Sequence, residues 1–400
     1  MREPHRESRS RAFIAASGVG LRGARVLTKA VGQWTALSLT LWLLLSGCRA
    51  STNDSAPNGK LEDGQALREY LDTRGLAAFW KIQDQIALGR VVPDADWKAL
   101  FATPAFQWQA PDDRVRGLIR ERMQLAFQPD SAPLKEVIAG AEGYAATRWK
   151  HYSRMRELRM ELELFLERLE ESSIMRDSLI LARQYMPSGS AKGMQWRTPV
   201  RLLLFGPDAI AGKDAIYVDL IEAYDQGADF QRLLAHEFHH LLYAFDSPLP
   251  ALGEEQPRYW LVLALTQLHK EGLADRIDKR RAPLEPRAGG VPNYVEDFNA
   301  YYARAQETLT AFDRMLTKCM SAEDPAQVER EAWSLLHFNG HVEGFYMANR
   351  IAEVQGAEAL LEDVGDPFSF LRRFDSVQPT FSKETLAWIA ACEAELRAEQ

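Results

Sequence analysis

From about residue 65 onward, apolar residues recur at spacings of three and four, and the pattern predicts a mostly helical protein interrupted by one short stretch of strands. The pattern is clearest from Tyr152 to Tyr185, where charged residues alternate with Met, Leu and Ile. This stretch reads as a long amphipathic helix or a helical hairpin, with Met155, Met160 and Met175 in the core. The texture changes over 186–229. Pro187, Gly189 and Gly193 mark a loop, Val200–Phe205 is a short apolar run, Gly206-Pro207 ends it, and Ala215–Leu220 (AIYVDL) makes a second strand-like run. Helical spacing returns over Phe230–Phe245, with Phe230, Leu233, Leu234, Phe238, Leu241 and Leu242 as its apolar stripe. Prolines between Ser247 and Pro257 break the chain, a further helix covers Trp260–Ile277, RAPLEPRAGGVPN makes a long loop, and the remainder reads as mostly helical. The expected fold class is therefore α+β, predominantly helical, with a small sheet between a helical region at 65–190 and a second region at 191–400.

The first 64 residues do not follow this pattern. Arg2, Arg6, Arg9, Arg11, Arg22, Arg25 and Lys29 precede an apolar run from Trp34 to Leu45 that is too short for a comfortable membrane span, the arrangement of a secretory signal. Leu45-Ser46-Gly47-Cys48 resembles the lipobox of bacterial lipoproteins, which implies removal of 1–47 and a lipid on Cys48. Residues 48–64, rich in Ser, Asn, Asp and Gly, then form a flexible tether. On this reading the protein sits in a bacterial cell envelope, anchored to a membrane by lipid and not by a helix. Arg49, where an aspartate would favour inner-membrane retention, leaves the outer membrane as the default. Setting aside the seven basic and two acidic residues before Cys48 leaves 41 Lys+Arg against 54 Asp+Glu, a net charge near −13. So acidic a chain is a poor nucleic-acid binder, because duplex affinity comes largely from neutralising phosphates. Cys319 and Cys392 remain, and spacing leaves open whether they form a bridge or stay as buried thiols.

Histidine is scarce, yet His236, His239 and His240 fall within five residues on the 230–245 helix. His236-Glu237-Phe238-His239-His240 is HExxH. Histidines at i and i+4 share one helical face and can bind a single zinc, while the intervening Glu237 reaches the water to be activated. A third protein ligand is needed. Asp246 would suit an HExxHxxGxxD arrangement, but that turn requires glycine where Tyr243 stands, and Glu254-Glu255 has no helix to orient it. Glu271, in Glu271-Gly272-Leu273-Ala274-Asp275 on the next helix, is the best choice. His239 is expected to lie behind the ligands or face solvent.

The pairing of HEFHH with EGLAD resembles the gluzincin metallopeptidases, and in particular uncharacterised families of zinc-dependent peptidases that carry HExxH followed by EGxAD. The resemblance implies Zn²⁺ held by His236, His240 and Glu271, Glu237 as general base, and Asp275 hydrogen-bonding a zinc-binding histidine from behind. Downstream, Gly340, Gly344 and Tyr346 resemble a stretch that follows EGxAD in those families, and Tyr346 and His341 are candidates to stabilise the oxyanion. The implied substrate is a peptide or protein. It would pair with the AIYVDL strand if that strand forms the sheet edge beside the active-site helix. Two other readings share these residues: a non-catalytic surface lipoprotein with a structural zinc, binding a partner or glycan, and a hydrolase of a non-peptide amide.

Overall fold

The computed structural model describes residues 70–188, 198–204, 206, 208–246, 252, 258–285 and 293–398. The expected signal segment, Cys48 and the tether lie outside the described residues. The chain begins with β1 (Leu71–Asp72) and eight helices: α1 (Arg74–Ala87), α2 (Asp94–Phe101), α3 (Pro104–Gln109), α4 (Asp113–Phe127), α5 (Ala132–Gly140), α6 (Gly143–Glu157), α7 (Arg159–Glu171) and α8 (Ile174–Arg183). The stretch expected as one helix or a hairpin is thus three segments. Ser172 closes α7 by donating its hydroxyl to the Leu169 carbonyl, and Ser173 turns its own to Asp177. Serine hydroxyls compete for backbone partners in this way, and a long apolar periodicity does not reveal it. Met155 and Met175 are buried as expected, but Met160 is 73% exposed, because α7 presents that position to solvent.

Strands β2 (Val200–Leu203), β3 (Ala209–Ala211) and β4 (Ile216–Asp219) join β1 in a sheet of order β1-β2-β4-β3, parallel except for the antiparallel β3–β4 pair. AIYVDL is therefore an inner strand and not the edge. All four residues of β4 are buried, as an apolar run covered on both faces requires, and the edge on its side of the sheet is the three-residue β3, too short to show an alternation. Asp219 ends β4 and starts α9 (Leu220–Gln226). Its carboxylate accepts from the Ile221 and Glu222 amides and meets His151 Nε2 of α6 at 3.0 Å. The region from 65 and the region from 191 thus share one sheet and one apolar core.

Helix α10 (Phe230–Asp246) carries HExxH and packs on β3 and α8. Next comes α11 (Tyr259–Asp278), buried on almost every side, apolar over its first two turns and carrying buried polar groups over its second half. Helices α12 (Tyr294–Tyr302), α13 (Ala305–Cys319), α14 (Pro325–Trp333), α15 (His341–Gln355), α16 (Pro367–Val377) and α17 (Lys383–Ala398) complete the fold. Helices α11 and α15 cross in backbone contact: a methyl group built on Gly272 would stand 2.4 Å from the Gly344 carbonyl oxygen, and one on Gly344 2.2 Å from that of Leu268. Cys319 and Cys392 are free thiols, and burial pushes them up to about 12 and about 11. Among the described residues no helix is long and apolar enough to cross a membrane.

Candidate metal centre

On α10 the i, i+4 spacing brings the His236 and His240 rings to 4.5 Å between centroids, both facing α11. From α11, Glu271 points its Oε2 between them, 3.5 Å from His236 Nε2 and 3.1 Å from His240 Nε2. Lys270 Nζ lies 3.3 Å from Glu271 Oε1 and leaves Oε2 to the imidazoles. His341, the first residue of α15, adds a third imidazole, with Nε2 3.4 Å from the same oxygen. None of these approaches is aligned as a hydrogen bond, so Glu271 Oε2 is a buried carboxylate oxygen ringed by nitrogens without a proton-sharing partner. Ligands at about 2.0–2.2 Å from a tetrahedral zinc are ~3.3–3.6 Å from one another, so separations of 3.1–3.5 Å from Glu271 Oε2 and the N/O donor set are compatible with a zinc ion.

A row of carboxylates on α11 braces two of the imidazoles, His236 and His341, while His240 Nδ1 is buried without a hydrogen-bond partner. Asp275, one turn after Glu271, accepts from His341 Nδ1 at 3.0 and 3.1 Å and stands 3.5 Å from His236 Nδ1. The closer partner of His236 Nδ1 is Asp278 Oδ1, at 3.1 Å. Asp278 was absent from the sequence reading, although Glu271, Asp275 and Asp278 follow the i, i+4, i+7 stripe of one helical face. Lys279 neutralises this row, donating to Asp275 at 2.5 Å and to Asp278 at 3.3 Å.

Burial alone would lower His236, but the Asp278, Glu271 and Glu237 carboxylates outweigh it and raise the imidazole well above its ordinary value. For His341 burial is likewise overcome, by Asp275 and Glu271, and its value rises. Burial would raise Glu271, yet the charges of His240, His341 and Lys270 hold it well below the carboxylate range. Glu237 is pushed up to about 7, by burial first and then by Glu271 and Asp208. Its Oε2 accepts the Ala211 amide of the edge strand at 2.6 Å, and its carboxylate lies within 4.8 Å of ring nitrogens of both His236 and His240.

The remaining candidates separate. His239 is not solvent-facing but fully buried, because it lies on the face of α10 turned toward Tyr243 and the interior. Burial pushes it down to about 3. Tyr346 donates its hydroxyl to Gln306 Oε1 at 3.2 Å and packs against Tyr302 and Phe374. His341, by contrast, is aimed into the cluster by an unusual turn: Phe338, Asn339 and Gly340 all take positive φ, of 47°, 58° and 89°. Phe338 costs about 1–2 kcal/mol in that region, whereas Asn339 and Gly340 are residue types that tolerate it. Glu343 holds the turn by accepting from the His337 amide at 2.9 Å and its Nδ1 at 2.7 Å, and Tyr301 stacks on the His337 ring.

A family model described as "Putative zinc dependent peptidase (DUF5700)" matches residues 97–378, which includes every residue of this cluster. No curated protein and no solved structure matches the chain. Since the match spans more than two thirds of the sequence, the chain belongs to this family, DUF5700.

Proposed function

We propose that the protein hydrolyses peptide bonds at this centre in the gluzincin manner, with His236, His240 and Glu271 holding zinc. The observation that carries the reading is the convergence of two imidazoles from one helix and a carboxylate from the next on a single point, with Glu237 beside it. Zinc bound there would supply Lewis-acid polarisation of the scissile carbonyl and lower the pKa of water. Glu237 is the general base: it takes the proton from the attacking water and delivers it to the leaving amine. Its hydrogen bond to the Ala211 amide ties it to β3. That open edge is where an extended peptide would add as a further strand, placing its scissile bond next to Glu237. Asp275, Asp278 and Lys279 act from behind, fixing ring orientation and keeping the imidazole nitrogens aimed forward. Lipid on Cys48 would tether the enzyme to the cell envelope.

The test is Glu237→Gln in the zinc-loaded protein. Zinc stoichiometry is expected to stay near one per chain while hydrolysis of a peptide library falls by at least about 100-fold, the scale of general-base loss. A variant as active as the parent sinks the reading. A structural, non-catalytic zinc site is the alternative favoured by one observation, the third imidazole at the cluster.

A further inference from the structure

We propose that His341 is itself a zinc ligand, so that the resting centre is closed by four protein groups, His236, His240, Glu271 and His341. This rests on the zinc reading above but goes beyond the ligand set that HExxH and EGxAD imply. Three observations independent of any motif lead to it. First, His341 Nε2 stands 3.4 Å from Glu271 Oε2, within the same range as His236 at 3.5 Å and His240 at 3.1 Å. At 3.1–3.5 Å, all three nitrogens approach Glu271 Oε2 at about the spacing of ligands that share one zinc ion, and His341 is no farther from it than His236. Second, its Nδ1 is gripped by both oxygens of the buried Asp275, at 3.0 and 3.1 Å. A carboxylate behind one ring nitrogen fixes the tautomer that leaves the other nitrogen's lone pair free for metal, and His236 has the same arrangement with Asp278. Third, the backbone is specialised to deliver this side chain. The left-handed turn at Phe338–Gly340 and the Gly272–Gly344 crossing press the start of α15 against α11, where Glu271 and Asp275 stand.

A group acting as an oxyanion stabiliser would stand apart from the ligands, beside space left for substrate; His341 Nε2 instead lies 3.4 Å from Glu271 Oε2, among the other donors. Four protein ligands admit a water or substrate oxygen either by expansion to five-coordination or by release of one ligand. His341, whose side chain is 26% exposed against 5%, 10% and 6% for His236, His240 and Glu271, is the one placed to give way.

X-ray absorption at the zinc edge of the zinc-loaded protein counts the imidazoles directly. The expected count is three in the parent and two in His341→Ala. Competition with a chromophoric chelator should show at least about tenfold weaker zinc binding in His341→Ala, and a loss of about 10–100-fold in Asp275→Asn, which keeps the imidazole but frees its ring. Two imidazoles in the parent overturn the proposal and leave the ligand set His236, His240 and Glu271 standing. A parent protein that binds no zinc overturns the zinc reading itself. If His341→Ala does not fold, the count in the parent still decides.

Discussion

His236 and His341 hold protons more tightly than ordinary histidines in the metal-free protein, because each faces carboxylates in a buried setting. Zinc takes only neutral imidazoles, so metal binding must expel these protons. The sign follows: zinc affinity rises with pH through the range in which the raised imidazoles deprotonate, and falls on acidification. Calorimetric titrations near neutral pH in two buffers of different ionisation enthalpy should give different apparent heats with net proton release. Identical heats would contradict the charge state assigned to His236 and His341. At this scale the sequence is a good guide wherever roles follow from helical periodicity. The side-by-side placement of His236 and His240 was legible because i, i+4 spacing puts groups on one face, and Asp278 could have been read from the stripe that Glu271 and Asp275 begin on the next helix. The destination of Tyr346 could not, since Gln306, which accepts its hydroxyl, lies forty residues away and is brought near by the packing of α13 on α15.

Two helices and one turn set the centre's dimensions. The α11–α15 crossing has no room for a side chain at Gly272 or Gly344, and Glu271 sits next to the first while His341 lies three residues before the second. Gly272→Ala should therefore destabilise the fold by about 1–3 kcal/mol or more, as overpacking does, visible as a lower denaturant midpoint at unchanged m. It should also weaken zinc binding, because the helices separate where Glu271 and His341 meet. A variant with parental stability would show that the crossing adjusts without cost. In the sequence these glycines were visible only as part of a family-like stretch, since closeness of approach is a property of two helices and neither one encodes it. The sheet edge shows the same limit. The apolar character of AIYVDL indicated a strand, but whether it lay inside or outside depended on β3, three residues with no pattern of their own.

Across the whole molecule, the centre joins α10, α11 and α15, elements separated by up to about a hundred residues of chain. A ligand that binds only the folded state stabilises it, by about 4 kcal/mol at a concentration a thousandfold above Kd. Chelation should lower the melting temperature by roughly 5–10 °C while leaving a cooperative transition, since one large apolar core runs through the helices that carry the centre. Loss of the transition altogether on chelation would mark the zinc as structural. The tether is tested separately: Cys48→Ser in the full chain should move the protein from the membrane fraction to the soluble fraction of cells, with zinc binding intact. An unchanged distribution would remove the lipid anchor from the account.

By itself the sequence determined the helical class, the position of the sheet, the HExxH helix and the glutamate that answers it. These follow from local periodicity and from residue types whose chemistry is particular to them. Tertiary structure alone decided which strand is the edge, which carboxylate holds which histidine, that His239 is buried, and that His341 stands beside Glu271 and His236 while Tyr346 turns to Gln306. Each of those outcomes depends on the distance between segments far apart in the chain. Such distances are set by close packing, here the Gly272–Gly344 contact and the left-handed turn before α15, and a linear pattern of polar and apolar residues carries no record of them.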